Sequence, residues 1–324
     1  MKRLVTFPGQ GRPVLGHVFN SYLAQRSRLS SLKLSERARE TAAVGAQIEQ
    51  KPTDPASIAA CSYLLYETFL EHAKSEKSES SDLVFLGHSL GELSCLAAGN
   101  GLFTLHQTME IATYRNELMM KAAGNLNYGM WAISVPKARD LAREVRSCVF
   151  AMGNTMALAN VNTGQQCVIT GTDTDFQRLE PRLRETIDGR YRITQLENPY
   201  HIPFHNQQVL APVAEPLLDF MWKILKKQGL ASQWELSHEV VSNLTGTCVR
   251  TVSQALENFA HSSCNVVEFV KCCETVSKLN VTEIVSIGPG THIGKLVATN
   301  CHIPNARYWD EHMGNNSTAD LKAL

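Results

Sequence analysis

The stretch Leu83-Val84-Phe85-Leu86-Gly87-His88-Ser89-Leu90-Gly91-Glu92 runs from four apolar residues into a Gly-x-Ser-x-Gly pattern, and the helix-like Leu93-Ser94-Cys95-Leu96-Ala97-Ala98 follows it. That order predicts a strand, a tight elbow and a helix. Glycines at 87 and 91 leave room for a turn that a Cβ at either position would crowd, so the Ser89 hydroxyl should stand at the head of the helix. Backbone N–H groups and the positive end of the helix dipole meet there. They suit the oxyanion that forms when a serine attacks a carbonyl carbon. Ser89 is therefore a candidate nucleophile, and the side chain of its neighbour His88 should point elsewhere.

At 324 residues the chain can bury a large core and still carry a second, smaller domain. Lys plus Arg equal Asp plus Glu at 31 each and aromatics are 7%, a balance that argues against a nucleic-acid groove or a membrane-surface protein. No apolar run approaches the ~20 residues that span a bilayer, and no secretory apolar region follows Met1. The nine cysteines include no CxxC pair, which predicts reduced, buried thiols in a soluble, intracellular protein. Residues 19–40 are rich in Arg and Ser. A surface helix is expected there rather than a cleaved presequence, because cleavage would remove the strand at 4–7 and the Pro8-Gly9-Gln10-Gly11 loop. The chain shows no coiled-coil heptads, and a monomer is expected.

Short apolar runs at 4–7, 83–86, 240–242 and 284–287 alternate with helical periodicity at 57–73, 90–98, 104–123, 210–227 and 266–278. This alternation predicts a large α/β-hydrolase-like domain with a mainly parallel sheet. Residues 74–82 read as a solvated polar linker. The middle of the chain changes character: strands at 130–135, 158–162, 167–170 and 190–196 interleave with helices at 137–146 and 173–186. That βαββαβ order predicts a small inserted ferredoxin-like domain at 128–200, the large domain comprising 1–127 and 201–324.

A serine hydroxyl needs a base, and eleven histidines are available. His201 and His205 occur in Asn198-Pro199-Tyr200-His201-Ile202-Pro203-Phe204-His205-Asn206, where the chain is expected to return to the large domain. Pro203 disfavours a helix just ahead of His205, so a shaped loop should lead into the helix at 210–227. Spacing alone favours surface or helix-capping histidines over a base. Arg115, read by spacing alone, is one cation on a long and partly solvated helix.

Seven blocks occur in an order that resembles the malonyl-CoA:acyl-carrier-protein transacylases, from residue 4 to about residue 300. They are Phe7-Pro8-Gly9-Gln10-Gly11, Gly87-His88-Ser89-Leu90-Gly91-Glu92, Tyr114-Arg115-Asn116, the 160–166 segment with Asn162 and Gln166, Ile202-Pro203-Phe204-His205, Ser242-Asn243-Leu244-Thr245-Gly246 and Gly288-Pro289-Gly290. The form of the 198–206 loop is most similar to fungal mitochondrial members. The resemblance implies that Ser89 is the nucleophile and His205 the general base, without a third acidic side chain. It places a backbone carbonyl within Asn265-Val266-Val267-Glu268, assigned to Glu268, as the group orienting the histidine. It makes Gln10 and Leu90 the backbone donors of an oxyanion hole, and Arg115 the partner of the free malonyl carboxylate. Phe204 would restrict 2-methyl branches, and Asn162 and Gln166 would bind substrate. Glu268 stands where the family often has Gln, and Asn206 where bacterial members have Ser or Thr.

The implied reaction is ping-pong malonyl transfer from malonyl-CoA to holo-acyl carrier protein for fatty acid synthesis, in mitochondria, with no metal or other cofactor. Two other readings compete. An α/β-hydrolase acting as esterase or thioesterase on the same serine would take a late histidine such as His292 or His302 and leave Arg115 without a task. A catalytically inactive carrier-protein scaffold would have no need of Ser89, His205, Gln10 and Arg115 together, although the Lys223, Lys226 and Lys227 helix end could meet an acidic partner.

Overall fold

The computed structural model describes residues 2–20, 36–75, 82–152, 156–230 and 234–310. Residues 21–35 of the expected helix at 19–40 and residues 76–81 of the expected linker lie outside the described residues. In chain order the main elements are β1 (Lys2–Phe7), α1 (Glu36–Gln50), α2 (Pro55–Ser75), β2 (Asp82–Gly87), α3 (Leu90–Ser94), α4 (Leu105–Ala123), β3 (Tyr128–Ser134), α5 (Leu141–Phe150), β4 (Ala157–Thr163), β5 (Gln166–Thr172), α6 (Asp173–Thr186), β6 (Arg192–Gln195), α7 (Gln207–Leu210), α8 (Ala214–Lys227), β7 (Glu235–Val241), β8 (Cys248–Thr251), α9 (Val252–Ser262), α10 (Phe269–Lys278), β9 (Glu283–Ile287), α11 (His292–Cys301) and β10 (Ala306–Trp309). Among the described residues no helix is long and apolar enough to cross a membrane.

Two compact units divide the chain: Met1–Thr113 with Val281–Ala298 and Ile303–Leu324, and Tyr114–Asn280 with Thr299–His302. The first carries parallel strands in the order β10-β9-β1-β2. β1 and β2 each end in four consecutive buried residues, as strands covered on both faces do. Phe7 and Phe85 stack at 6.2 Å between ring centroids, and Tyr66 of α2 meets both edge-on. These rings anchor the strand ends from which the Pro8–Gly11 loop and the Gly87–Gly91 elbow leave.

The second unit holds an antiparallel sheet in the order β4-β5-β3-β6, with α5 and α6 as the connections of a βαββαβ module. Trp131, Ile133, Leu141, Val145, Ile169, Leu179 and Leu183 form its buried core. The unit continues beyond that module through α7 to α10 and the β7–β8 antiparallel pair.

Departures from the sequence reading have identifiable causes. The helix expected from 137 begins at Leu141 because the Asp140 carboxylate accepts the Arg143 N–H and caps it there. The helix expected from 266 begins at Phe269, because Val267 exchanges backbone bonds with Ala159 and Val161 of β4. Pro212 interrupts the helix expected over 210–227 with a 3-10 turn at Ala211–Val213. The helix expected over 90–98 is α3 followed by a π-helical turn at Cys95–Gly99, a distortion frequent at functional sites.

Candidate active site

Ser89 has φ 52° and ψ −111°, a backbone conformation that L-residues rarely adopt, and it is buried. The elbow is closed by His88 N–H to the Phe7 carbonyl at 3.0 Å, Gly91 N–H to the His88 carbonyl at 2.9 Å and Glu92 N–H to the Ser89 carbonyl at 3.0 Å. A Cβ on Gly87 would lie 2.0 Å from the Gly91 carbonyl carbon, and one on Gly91 would lie 2.3 Å from the Phe7 oxygen. No substitution at either position fits without moving backbone. A non-glycine residue held in such a conformation stores about 1–3 kcal/mol and persists where the surroundings fix it. Leu90 is the first residue of α3, where an N–H has no carbonyl one turn back to bond, and Gln10 lies half-buried in the loop leaving β1.

In the second unit the 198–206 loop holds two histidines in left-handed conformation, His201 at φ 52° and His205 at φ 62°. Asn198 shapes it: its side-chain amide donates to the carbonyls of Tyr128 and Ile202, both at 2.9 Å, and its oxygen accepts the Ile202 N–H at 3.2 Å. Ile202 is buried against Met119, Leu210 and Val213, whereas His201 is exposed and His205 is 3% exposed. The structure thus separates the two histidines that spacing left equivalent. His205 Nδ1 lies 2.9 Å from both the Ser262 and the Asn265 carbonyl oxygens. Carbonyls only accept, so Nδ1 carries a proton, and in the neutral ring that leaves the lone pair on Nε2, the tautomer a general base requires.

The carbonyls at Nδ1 are those of Ser262 and Asn265. The Glu268 carbonyl, expected in that role, instead accepts the Cys272 N–H at 3.1 Å at the start of α10. The Glu268 carboxylate pairs with Arg146 at 2.7 Å and Lys271 at 3.5 Å.

Arg115 is 1% exposed, so the solvated position that spacing suggests is corrected by the fold. Its Nε donates to Ser263 Oγ at 2.8 Å, Ser263 Oγ donates to the Phe259 carbonyl at 3.0 Å, and the guanidinium lies 5.9 Å from the Phe259 ring centre. The end of α9 and the turn after it therefore set both Arg115, through Ser263, and His205, through Ser262 and Asn265. Sequence reading missed α9. Its signals were present: Thr251-Val252-Ser253-Gln254 is a capping-box pattern, and Val252, Ala255, Leu256, Phe259 and Ala260 repeat at helical spacing.

Asn162 Nδ2 donates to Gln166 Oε1 at 3.1 Å, and Gln166 Nε2 to Ser134 Oγ at 3.2 Å, linking β4, β5 and β3. Phe204 is half-buried between Ile202 and Leu210 on one side and Met130, Ala159 and Val168 on the other.

A serine on a strained strand-to-helix elbow, beside a parallel sheet, together with a ferredoxin-like module, defines the class of serine acyltransferases with an α/β-hydrolase-like fold. No family model matches the sequence. The chain is 36% identical to the mitochondrial malonyl CoA-acyl carrier protein transacylase of Saccharomyces cerevisiae, spanning 92% of each chain. It is 28% identical to the malonyl CoA-acyl carrier protein transacylase of Bacillus subtilis over 65% of this chain and 62% of that one. Among solved structures, the malonyl-CoA:acyl carrier protein transacylase of Helicobacter pylori superposes with a TM-score of 0.75 at 20% identity, covering 97% of this chain and 96% of that one. An acyl carrier protein S-malonyltransferase of Vibrio cholerae superposes with a TM-score of 0.72 at 20% identity, covering 100% and 99%. The chain belongs to the malonyl-CoA:acyl-carrier-protein transacylase family.

Proposed function

We propose that the protein moves a malonyl group from CoA to the phosphopantetheine thiol of holo-acyl carrier protein through an ester on Ser89. His205 Nε2 takes the Ser89 hydroxyl proton as the oxygen attacks the thioester carbonyl, and the N–H groups of Leu90 and Gln10 receive the developing oxyanion. CoA leaves with the proton, the carrier thiol gives its own to His205 and attacks the ester, and Ser89 is regenerated. The chemistry calls on no metal or redox cofactor. The observation that carries the reading is the elbow that fixes Ser89 at positive φ between two glycines. Membership of the family supports the substrate pair, the yeast relative's name supports a mitochondrial setting, and supply of malonyl groups for fatty acid synthesis is the role proposed there. The chain is proposed to work as a monomer.

Intact mass spectrometry after mixing with malonyl-CoA alone tests the proposal. One malonyl group on Ser89, removed by holo-acyl carrier protein and stable without it, is the expected result. An adduct lost to water at the same rate without carrier would identify a hydrolase instead.

Arg115 is assigned to the free malonyl carboxylate, with Asn162 and Gln166 on the acyl side and Phe204 limiting branched acyl groups. A guanidinium matches a carboxylate bidentately, and a buried cation disfavours an uncharged acyl group in the anion's place. Arg115→Met should lower kcat/KM for malonyl-CoA by the roughly 2–5 kcal/mol typical of a truncated buried charge pair, about 30- to 5,000-fold. Acetyl-CoA should change far less. Equal losses with the two donors would remove Arg115 from this role.

A further inference from the structure

The acyl-transfer steps proposed above use none of the nine cysteines, and most are packed away: Cys61, Cys95, Cys148, Cys167, Cys264, Cys272 and Cys273 are buried, and Cys248 and Cys301 are partly exposed. Burial pushes the Cys167 thiol up to about 12 and the Cys264 thiol up to about 11, so both stay protonated and inert. Cys301 is different. It ends α11, and its Sγ lies 3.5 Å from the Cys273 carbonyl oxygen of α10, in hydrogen-bonding contact with the Cys273 thiol. The Ser277 hydroxyl donates to the same carbonyl at 2.9 Å. Cys273 is 3% exposed. An accessible thiol thus sits against a sequestered one, both within the second unit.

We propose that Cys301 and Cys273 form a peroxide-reactive pair, in which a hydroperoxide oxidises Cys301 and Cys273 resolves it to a Cys273–Cys301 disulfide. The Cys301 thiolate attacks one peroxide oxygen, the O–O bond breaks, and the leaving oxygen takes a proton as water or alcohol, leaving a sulfenic acid. Cys273 sulfur then attacks the sulfenic sulfur, the S–O bond breaks, and hydroxide departs with the Cys273 proton as water. Two electrons pass from the dithiol to the peroxide. Contact with Cys273 holds the Cys301 thiol below its ordinary range, and Cys301 is partly exposed whereas Cys273 is 3% exposed. The attacking and resolving roles follow from that asymmetry. Asn300, next to Cys301, donates to the Asn162 carbonyl at 3.1 Å, so the disulfide would fasten the end of α11 beside β4 as well as to α10.

The full reduced chain, treated with one equivalent of hydrogen peroxide, alkylated and digested with trypsin, tests the pair. The expected product is a linked pair of peptides, 272–278 with 296–307, kept by Cys272→Ser and lost in Cys273→Ser. In Cys273→Ser, Cys301 should stop at a sulfenic acid that dimedone traps. In Cys301→Ser, Cys273 should stay reduced. Before oxidation, Cys301 should alkylate at neutral pH about tenfold faster than Cys248, the other partly exposed thiol. A link that survives Cys273→Ser, oxidation of Cys248 in preference to Cys301, or equal alkylation of the two would overturn the proposal. None of these readouts involves acyl transfer, so they stand or fall apart from the function proposed above.

Discussion

Ser89→Ala should leave no malonyl adduct detectable by intact mass and should lower transfer to the carrier protein by about 10⁴-fold or more, the scale on which serine acyl enzymes lose activity with their nucleophile. The backbone makes a second, opposite prediction at the same residue. At φ 52° and ψ −111° a side chain is strained, whether it is serine or alanine, and only glycine occupies that region freely. Ser89→Gly should therefore be as inactive as Ser89→Ala yet about 1 kcal/mol more stable than it, the relieved strain exceeding the extra chain entropy of glycine. Denaturant unfolding of the two variants measures the difference. Equal stabilities would mean that the elbow is relaxed in solution. An active Ser89→Ala protein would remove the acyl-serine route altogether.

The elbow was legible because its requirement is local: two glycines four residues apart, between a strand and a helix, leave few other conformations. The ferredoxin-like module was legible for a related reason, since its strand and helix periods alternate in chain order and α6 occupies the expected 173–186. The environment of the charged and basic groups was not. Arg115 and Ser263 are 148 residues apart, and His205 is 57 and 60 residues from the carbonyls that set its tautomer. No local pattern encodes such pairs. Burial of Arg115, decided by Phe259 and Ser263, could not be read from a helix face that looks solvated in isolation. Residues 266–268 failed in a third way: their apolar spacing suits a helix, and the tertiary bonds of Val267 to β4 override it.

His205→Asn should slow acylation of Ser89 by roughly 10²–10⁴, the usual contribution of a positioned general base. Asparagine is the informative replacement because it tolerates the left-handed backbone that His205 adopts at φ 62°, so the loop can keep its shape while the base is lost. Single-turnover acylation with malonyl-CoA reads the effect directly. The loss should appear equally in kcat and kcat/KM, since proton transfer belongs to the transition state and not to ground-state binding. Free imidazole should restore part of the rate. His201→Ala is the matched control. It changes the other left-handed histidine of the same loop, but one that is exposed, and it should leave acylation unchanged. If His201→Ala is slow and His205→Asn is not, then the carbonyls of Ser262 and Asn265 hold His205 for a structural purpose and the base lies elsewhere. If both are slow, the Asn198-braced loop acts as a unit, and imidazole rescue of the His205 variant alone identifies the residue that moves the proton.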